Sequence, residues 1–347
     1  MNTVVVIGGG PAGSTAALRL ARAGVPVRLY ERQASAHPKV CGEFLSGEAL
    51  TELRGLEIDP VALGAIPLVQ VGLAVPGRHQ AATSRLPFEG MSLSREVLDE
   101  ALLEAAARAG AEIVRGTALR LDGAEAQAAA AVFVATGKHD LPGHARPAGR
   151  QPDLIGFKMY YRTRQPGPAR VDLVPFDGGY AGLQPVGVGA VNLCLLVHRE
   201  AYARHRSYDA LVASVRARSP YLDAALAGAE ACWDRPLAIS RIPYGYVRAT
   251  SESHFWLGDQ AAVIPSFAGD GIAIALHSAK RAAETFLAGA PASTYQRALA
   301  RELGGQVARA TFVSRLLVRP WFQPLAGLTA HTVPAVMRAI ATSTRVA

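Results

Sequence analysis

The stretch VVVIGGGPAGS, residues 4–14, decides the fold. The β-branched run that opens it ends in glycine, a pattern typical of a buried parallel strand. A helix should begin at Pro11, where a missing N–H costs nothing, and Gly24 should close that helix. A second strand-like run follows at residues 25–31, so the start of the chain predicts a β–α–β unit.

The glycines of this first loop have the GxGxxG spacing of dinucleotide-binding sites. Gly8 permits a tight turn, Gly10 lets the backbone approach a pyrophosphate, and Gly13 lets helix and strand pack closely. Glu31 ends the second strand, where its carboxylate can accept both ribose hydroxyls of an adenosine and would repel a 2′-phosphate. We therefore expect a dinucleotide without a 2′-phosphate here, a glycine turn without a ligand being the alternative.

A second glycine-rich loop, FWLGDQAAVIPSFAGDG, occupies residues 255–271. With the first loop, it resembles the flavin hydroxylases of the p-hydroxybenzoate hydroxylase type and the wider group that includes the geranylgeranyl reductases. The second motif of that group reads GD-x-A-x-x-x-P-x-x-x-G-x-G, and the matching residues here are Gly258, Asp259, Ala261, Pro265, Gly269 and Gly271. The resemblance implies that the dinucleotide is FAD, which is too long for one loop to hold.

The resemblance also implies roles for single residues. Asp259 would bind the ribityl chain or the pyrophosphate, and the backbone of residues 269–272 would face the pyrimidine side of the isoalloxazine. Arg95, followed by Leu98, matches an R-x-x-L pattern that contacts the FAD phosphates, an ordinary surface arginine being the alternative. The cofactor-binding residues implied in this way are Gly8, Gly10, Pro11, Ala12, Gly13, Glu31, Arg32, Cys41, Gly42, Arg95, Asp259, Pro265, Gly269, Gly271 and Ile272.

Two further segments bear on the chemistry. PKVCGEFLS, residues 38–46, resembles the reductase-like branch, in which a Cys-Gly pair lies close to the flavin. Cys41 would then line the active site, or it is simply a small buried apolar residue. Thr136-Gly137 stands where many hydroxylases carry the Asp-Gly pair that helps to position NAD(P)H. NAD(P)H is the expected transient reductant, with a partner protein as the alternative source of electrons.

The fold class that follows is α/β, with a Rossmann-like FAD-binding domain, an inserted, mostly antiparallel substrate domain, and C-terminal helices. GFKMYYRT, residues 156–163, alternates in polarity, and a hairpin is predicted around residues 187–189. Both patterns predict half-solvated antiparallel strands. The predicted domains are a discontinuous FAD-binding domain at 1–65, 90–150 and 245–290, a substrate domain at 66–89 and 151–244, and helices at 291–347.

Catalytic residues are weakly indicated. Tyr180 and Gln184 lie on a predicted strand over the flavin, where Tyr180 could position or deprotonate a phenol if neighbours lowered its pKa. The alternative for Tyr180 is an interfacial sheet residue. His139 and Asp140 are adjacent and are expected to form a solvated loop rather than an acid–base pair. The three cysteines do not have the spacing of a zinc site or of a disulfide framework. We therefore expect no metal site, and we expect the protein to lie in a reducing cytoplasm.

Composition limits the class of protein. The chain has 347 residues, of which 50% are hydrophobic and 18% charged, as in a folded globular protein. The net charge of +8 suits anionic ligands, or it reflects arginine-rich coding; without a Lys/Arg block, nucleic acid is not an expected partner. No apolar run is long enough to span a bilayer. Residues 307–328 mix arginine with aromatic residues and predict a lid, with membrane-surface contact as the alternative.

Two enzyme functions are consistent with these features. The first, and the one preferred from the sequence, is a monooxygenase that hydroxylates an aromatic or polyketide-like small molecule through a flavin C4a-hydroperoxide. The second is a reductase of carbon–carbon double bonds in an isoprenoid, favoured by the Cys-Gly segment and the missing Asp-Gly pair. A flavoprotein without catalysis is the third class. The substrate in either enzyme is expected to be apolar or aromatic.

Overall fold

The computed structural model describes residues 3–75, 77–164 and 167–323, together with Thr342 and Arg345. The strands are β1 (Val4–Ile7), β2 (Val27–Glu31), β3 (Phe44–Leu45), β4 (Ile66–Ala74), β5 (Ala81–Ser92), β6 (Glu112–Arg115), β7 (Val132–Val134), β8 (Leu154–Arg162), β9 (Arg170–Phe176), β10 (Gly179–Val186), β11 (Ala190–His198), β12 (Glu230–Ala231), β13 (Leu237–Ile239) and β14 (His254–Trp256). The helices are α1 (Pro11–Arg22), α2 (Gly47–Gly55), α3 (Arg95–Arg108), α4 (Ala124–Gln127), α5 (Arg199–Ala203), α6 (Tyr208–Arg218), α7 (Pro220–Ala225), α8 (Gly271–Leu287) and α9 (Ala292–Leu317). Most of the predicted C-terminal region beyond residue 323 lies outside the described residues.

A five-stranded parallel sheet forms the first layer, in the order β14-β7-β1-β2-β6. Strands β1, β2, β7 and β14 are mostly buried between α1, α3 and α8 on one side and a smaller apolar cluster on the other, and the edge strand β6 is partly exposed. The loops after β1, β7 and β14 leave the same carboxyl edge, where ligands of doubly wound sheets bind. The predicted β–α–β unit at the start of the chain is confirmed.

The second sheet follows the order β12-β8-β11-β10-β9-β4-β5-β3, with β13 also paired to β8. Its pairs are antiparallel except β4 with β9, which run parallel. The predicted fold class, α/β with a mostly antiparallel second sheet, is confirmed. The domain boundaries stay a prediction, and β3 joins the second sheet although its residues fall within the predicted 1–65 segment.

The two faces of this sheet have different partners. One face packs on α6 and α7 through Phe157, Leu193 and Leu211. The other face, with Lys158, Tyr160 and Arg162, was predicted to be solvated. That prediction is wrong at Lys158, which is 0% exposed, whereas Tyr160 is half-buried and Arg162 is exposed. Lys158 and Tyr160 are enclosed because this part of the face turns toward the parallel-sheet layer and contacts Glu43.

Candidate cofactor and substrate site

The first glycine loop is packed as closely as its sequence requires. Gly8 has φ +106°, and a Cβ there would lie 2.5 Å from the carbonyl oxygen of Ala135 in the loop after β7. A Cβ on Gly13 would lie 1.8 Å from the carbonyl oxygen of Gly8. Both contacts are with backbone, so neither position has room for a side chain.

Open space lies over Gly10 of the first glycine loop and over Gly271 of the second. A Cβ on Gly10 would meet only the Arg95 guanidinium, at 3.5 Å, and a Cβ on Gly271 would meet nothing within 4 Å. Pro11 and Ala12 open α1 directly after Gly10, and the first N–H groups of a helix have no partner within the helix. These two open glycines, each at a helix N-terminus, make a cradle that fits the phosphates and ring of FAD.

Glu31 borders the first glycine loop. Its Oε2 accepts the Gly9 N–H at 2.7 Å and its Oε1 accepts the Gln33 N–H at 3.1 Å. The carboxylate borders a small cleft that also contains Lys39 and Arg115. Arg32, the next residue, is exposed beside it. This placement leaves carboxylate lone pairs for ribose hydroxyls, the role predicted for Glu31.

Arg95 is not an ordinary surface arginine. Its side chain is 14% exposed, and its guanidinium donates to both carboxylate oxygens of Asp99, at 2.7 and 2.8 Å. The same guanidinium lies at the open side of Gly10. The burial excludes the surface alternative, while contact with FAD phosphates stays a prediction.

The second glycine motif meets the first. Gly258 has φ +54°, and a Cβ there would lie 3.2 Å from the Cβ of Ala12. The backbone of Asp259 is held by Arg146, whose Nη1 donates to the Asp259 carbonyl at 2.6 Å. Because β14 lies beside β7, the motif leaves the sheet at the same edge as the first loop. Asp259 is half-buried at this junction.

The loop at residues 136–140 is locked rather than freely solvated. Gln260 Nε2 donates to the carbonyls of Gly137 and His139, each at 2.9 Å. Asp140 accepts from Arg146 at 2.6 Å, so it forms an ion pair with arginine and does not face His139. The acid–base pair is therefore not formed, as expected, but only part of this loop faces solvent.

The end of the second motif forms the start of α8. Gly269 has φ +74°, and a Cβ there would lie 2.7 Å from the Phe44 ring. Pro265 and Ile272 are buried, so only the backbone around Ile272 can face a ligand. The predicted role of residues 269–272 was a backbone role, and the burial is compatible with it.

A cavity of about 440 Å³ lies between the inner face of the second sheet and the loop before α8. Cys41, Gly42 and Lys138 border it on the cofactor side. Its walls are mostly apolar, for example Leu173, Leu195, Leu196, Leu316, Leu317 and Phe322. Among the described residues that line it there is no Asp, Glu or His. The end of α9 and Phe322 close one side, so the predicted lid is confirmed up to residue 323; residues 324–328 lie outside the described part of the chain.

Tyr180 and Gln184 both line this cavity. The Tyr180 hydroxyl accepts the Phe267 N–H at 3.3 Å, and Gln184 Nε2 donates to Ser92 Oγ at 2.7 Å. Burial raises the pKa of Tyr180. Tyr180 would need a lowered pKa to deprotonate a phenol, so the expectation that neighbours lower it is wrong. Tyr180 remains a hydrogen-bonding group, and catalytic roles for both residues stay predictions.

A buried polar cluster next to Cys41 escaped the sequence analysis. Glu43 and Lys158 are both 0% exposed and pair at 2.5 Å. Tyr160 and Asn192 also donate to Glu43, at 2.6 and 3.1 Å. The sequence contained one signal for this cluster. Glu43 stands inside the otherwise apolar segment VCGEFL, and a charged residue in a buried segment requires a partner.

None of the helices described here is both long and apolar enough to cross a membrane. Within the described ranges, no group of three or more His, Cys, Asp or Glu residues is arranged to hold a metal ion.

Comparison with known proteins agrees with this geometry. A family of FAD binding domains matches residues 1–141. A digeranylgeranylglycerophospholipid reductase of Methanopyrus kandleri is 37% identical over 111 residues, 32% of this chain and 28% of that protein. The chain thus matches less than a third of the length of the first curated relatives.

Two longer matches extend over nearly the whole chain. A menaquinone reductase of Mycolicibacterium smegmatis is 26% identical, with 94% of this chain and 88% of that protein covered. The solved structure of a flavin-dependent brominase superimposes with a TM-score of 0.80 at 17% identity, covering 99% of this chain and 93% of that one. At that identity the structural likeness shows a shared fold.

Proposed function

We propose that this chain, whose residues 1–141 match a family of FAD binding domains, is an FAD-dependent oxidoreductase that reduces carbon–carbon double bonds in an apolar, isoprenoid-type substrate. The cavity beside the cofactor cradle is the observation that carries the proposal. Its described walls are mostly apolar, and their polar groups, such as those of Lys138, Tyr180 and Gln184, include no carboxylate or imidazole to deprotonate a phenol. Such a pocket suits a substrate without an ionisable reacting group.

The relatives support the same reaction class. The Methanopyrus and Mycolicibacterium proteins are both named as reductases, one of a digeranylgeranyl lipid and one of menaquinone. Both substrate names denote molecules that carry isoprenoid chains. A chain of this kind would lie along the wall formed by Leu173, Leu196 and Leu317.

The cofactor and the residues beside it would serve different parts of this reaction. Bound FAD supplies the hydride for a double-bond reduction. The other carbon of the bond requires a proton, and the Cys41 thiol at the cavity edge is positioned to donate one from Sγ. Lys138, held at 2.9 Å to the Val40 carbonyl, places a positive charge at this edge, where it would favour the anionic reduced cofactor.

The test is an anaerobic turnover. The purified, FAD-loaded protein is reduced with dithionite and incubated with geranylgeraniol or geranylgeranyl diphosphate without oxygen. We expect mass spectrometry to show products that gain two hydrogens for each double bond reduced. Because dithionite replaces the natural donor, the result does not depend on whether NADH, NADPH or a partner protein serves in the cell. Absence of saturated product with every chain tested would end this proposal.

Hydroxylation of an aromatic substrate is the second candidate. The Tyr180 hydroxyl and the Gln184 amide are polar groups inside the cavity and could hydrogen-bond a ring substituent. The same assay in air, with NADH or NADPH and candidate phenols, tests it. A product that contains oxygen from O2 only in air would favour hydroxylation over reduction.

A further inference from the structure

Glu43 is in an unusual backbone conformation for a buried acid. It has φ +64°, in the left-handed region, and lies directly after Cys41 and Gly42 at the cavity edge. A residue other than glycine keeps this conformation only where its surroundings impose it. The side-chain contacts of Glu43 supply that constraint.

Four donors from three elements surround the Glu43 carboxylate. Its Oε1 accepts from Lys158 Nζ at 2.5 Å and from the backbone N–H of Arg95 at 2.8 Å. Its Oε2 accepts from the Tyr160 hydroxyl at 2.6 Å and from Asn192 Nδ2 at 3.1 Å. A carboxylate this deeply buried is tolerated because an opposite charge and hydrogen bonds meet it. Burial, together with the Glu43 charge, raises the pKa of Tyr160, which keeps the phenol a donor.

The same network holds the backbone of the cavity edge. Asn192 Nδ2 also donates to the carbonyls of Cys41 and Gly42, each at 3.1 Å. The Cys194 thiol donates to the Cys41 carbonyl at 3.0 Å. Gly42 has no neighbour within 4 Å of the place where its Cβ would be, so the fixed segment borders open space.

The Arg95 contact extends the network to the phosphate side. Arg95 is the first residue of α3, and its guanidinium lies at the open side of Gly10. We propose that Glu43 is a positioning residue, which holds the Cys41–Gly42 segment and the start of α3 in one geometry around the FAD site. The inference requires FAD at this site but holds for either reaction considered above.

The test uses the thiol of Cys41 and the spectrum of the flavin. In a Cys194→Ser/Cys232→Ser background Cys41 is the only cysteine of the sequence. We expect Glu43→Gln to raise the rate of Cys41 alkylation by iodoacetamide about tenfold, and to shift the visible absorption bands of bound FAD. Tyr160→Phe, which keeps the ion pair, should give a smaller effect of about threefold and guards against a Glu43 variant that does not fold.

Two comparisons separate positioning from stability. Glu52→Gln removes a different ion-paired glutamate, which is 15% exposed and bound to Arg19 and Lys280, and should leave Cys41 and the flavin bands unchanged. The Glu43→Gln/Lys158→Met variant removes both buried charges; it should unfold at a higher temperature than Glu43→Gln while Cys41 still reacts quickly.

The proposal is overturned if folded Glu43→Gln and Tyr160→Phe both keep the parental alkylation rate and flavin spectrum. It is also overturned if the double variant recovers stability and slow alkylation together. None of these readouts requires turnover. A protein that shows the expected shifts but saturates no double bond would refute the proposed reaction alone.

Discussion

Gly258 lies against Ala12, so that a Cβ on Gly258 would be 3.2 Å from the Ala12 Cβ. This contact joins the second glycine motif to the first, although most of the chain separates them in sequence. It arises because β14 pairs with β7, and β7 pairs with β1, in one parallel sheet. Both motifs therefore leave the same edge and border one cradle.

Replacing Gly13 with alanine should destabilise the protein itself. The new Cβ would lie 1.8 Å from the Gly8 carbonyl oxygen. This oxygen belongs to the backbone, so it can move away only if the glycine loop or the start of α1 is distorted. We expect a loss of about 3 kcal/mol in the free energy of unfolding. Urea denaturation of the FAD-free protein measures it, and parental stability in that assay would contradict the packing described here.

Gly271→Ala should weaken FAD binding while it leaves the stability of the protein nearly unchanged. Nothing lies within 4 Å of its Cβ position, so we expect the free energy of unfolding to change by less than about 1 kcal/mol. The methyl group would occupy space in the proposed cofactor cradle and should weaken FAD binding about tenfold. A fluorescence titration with FAD measures the affinity. Gly304→Ala, at an equally open position in α9, is the matched control and should bind FAD normally.

Arg146 should contribute far more to the free energy of unfolding than Asp140, its ion-pair partner. Its side chain is 1% exposed and donates to the carbonyls of Lys138 and Asp259, at 2.7 and 2.6 Å. Arg146→Met leaves both carbonyls without this donor and should cost about 3 kcal/mol. Asp140 is 37% exposed, so Asp140→Asn should cost less than about 1 kcal/mol. Equal losses in urea denaturation would show that the ion pair, rather than the carbonyl contacts, supports the loop.

Cys194 should be an unreactive thiol at neutral pH. Burial raises its pKa to about 12, because the charged thiolate is poorly solvated there. In a Cys41→Ser/Cys232→Ser protein, we expect alkylation at pH 7 to be about a thousandfold slower than for a free cysteine. The rate should rise about tenfold per pH unit from pH 7 to pH 10, since the thiolate fraction grows that way below the pKa. A plateau near pH 9 would mean that the thiol is solvated.

Several features of the site were readable from local sequence. The GxGxxG loop, the acidic end of β2 and the GD motif each have a spacing that one turn, one strand end or one helix start requires. The alternation in residues 156–163 predicted β8 correctly. The solvent-facing assignment of its second face was wrong, because alternation separates two faces without saying what covers each of them.

The sequence alone determined the parallel-sheet unit and its paired glycine loops, since backbone conformation and close packing at those positions depend on nearby residues. Only the tertiary structure decided that Glu43 meets Lys158, which lies 115 positions further along the chain. The physical reason is that a buried charge is recognisable only from its partner, and that partner is chosen by how the two sheets meet. The cavity between the second sheet and the loop before α8, and with it the apolar substrate proposed above, depends on the same meeting of layers.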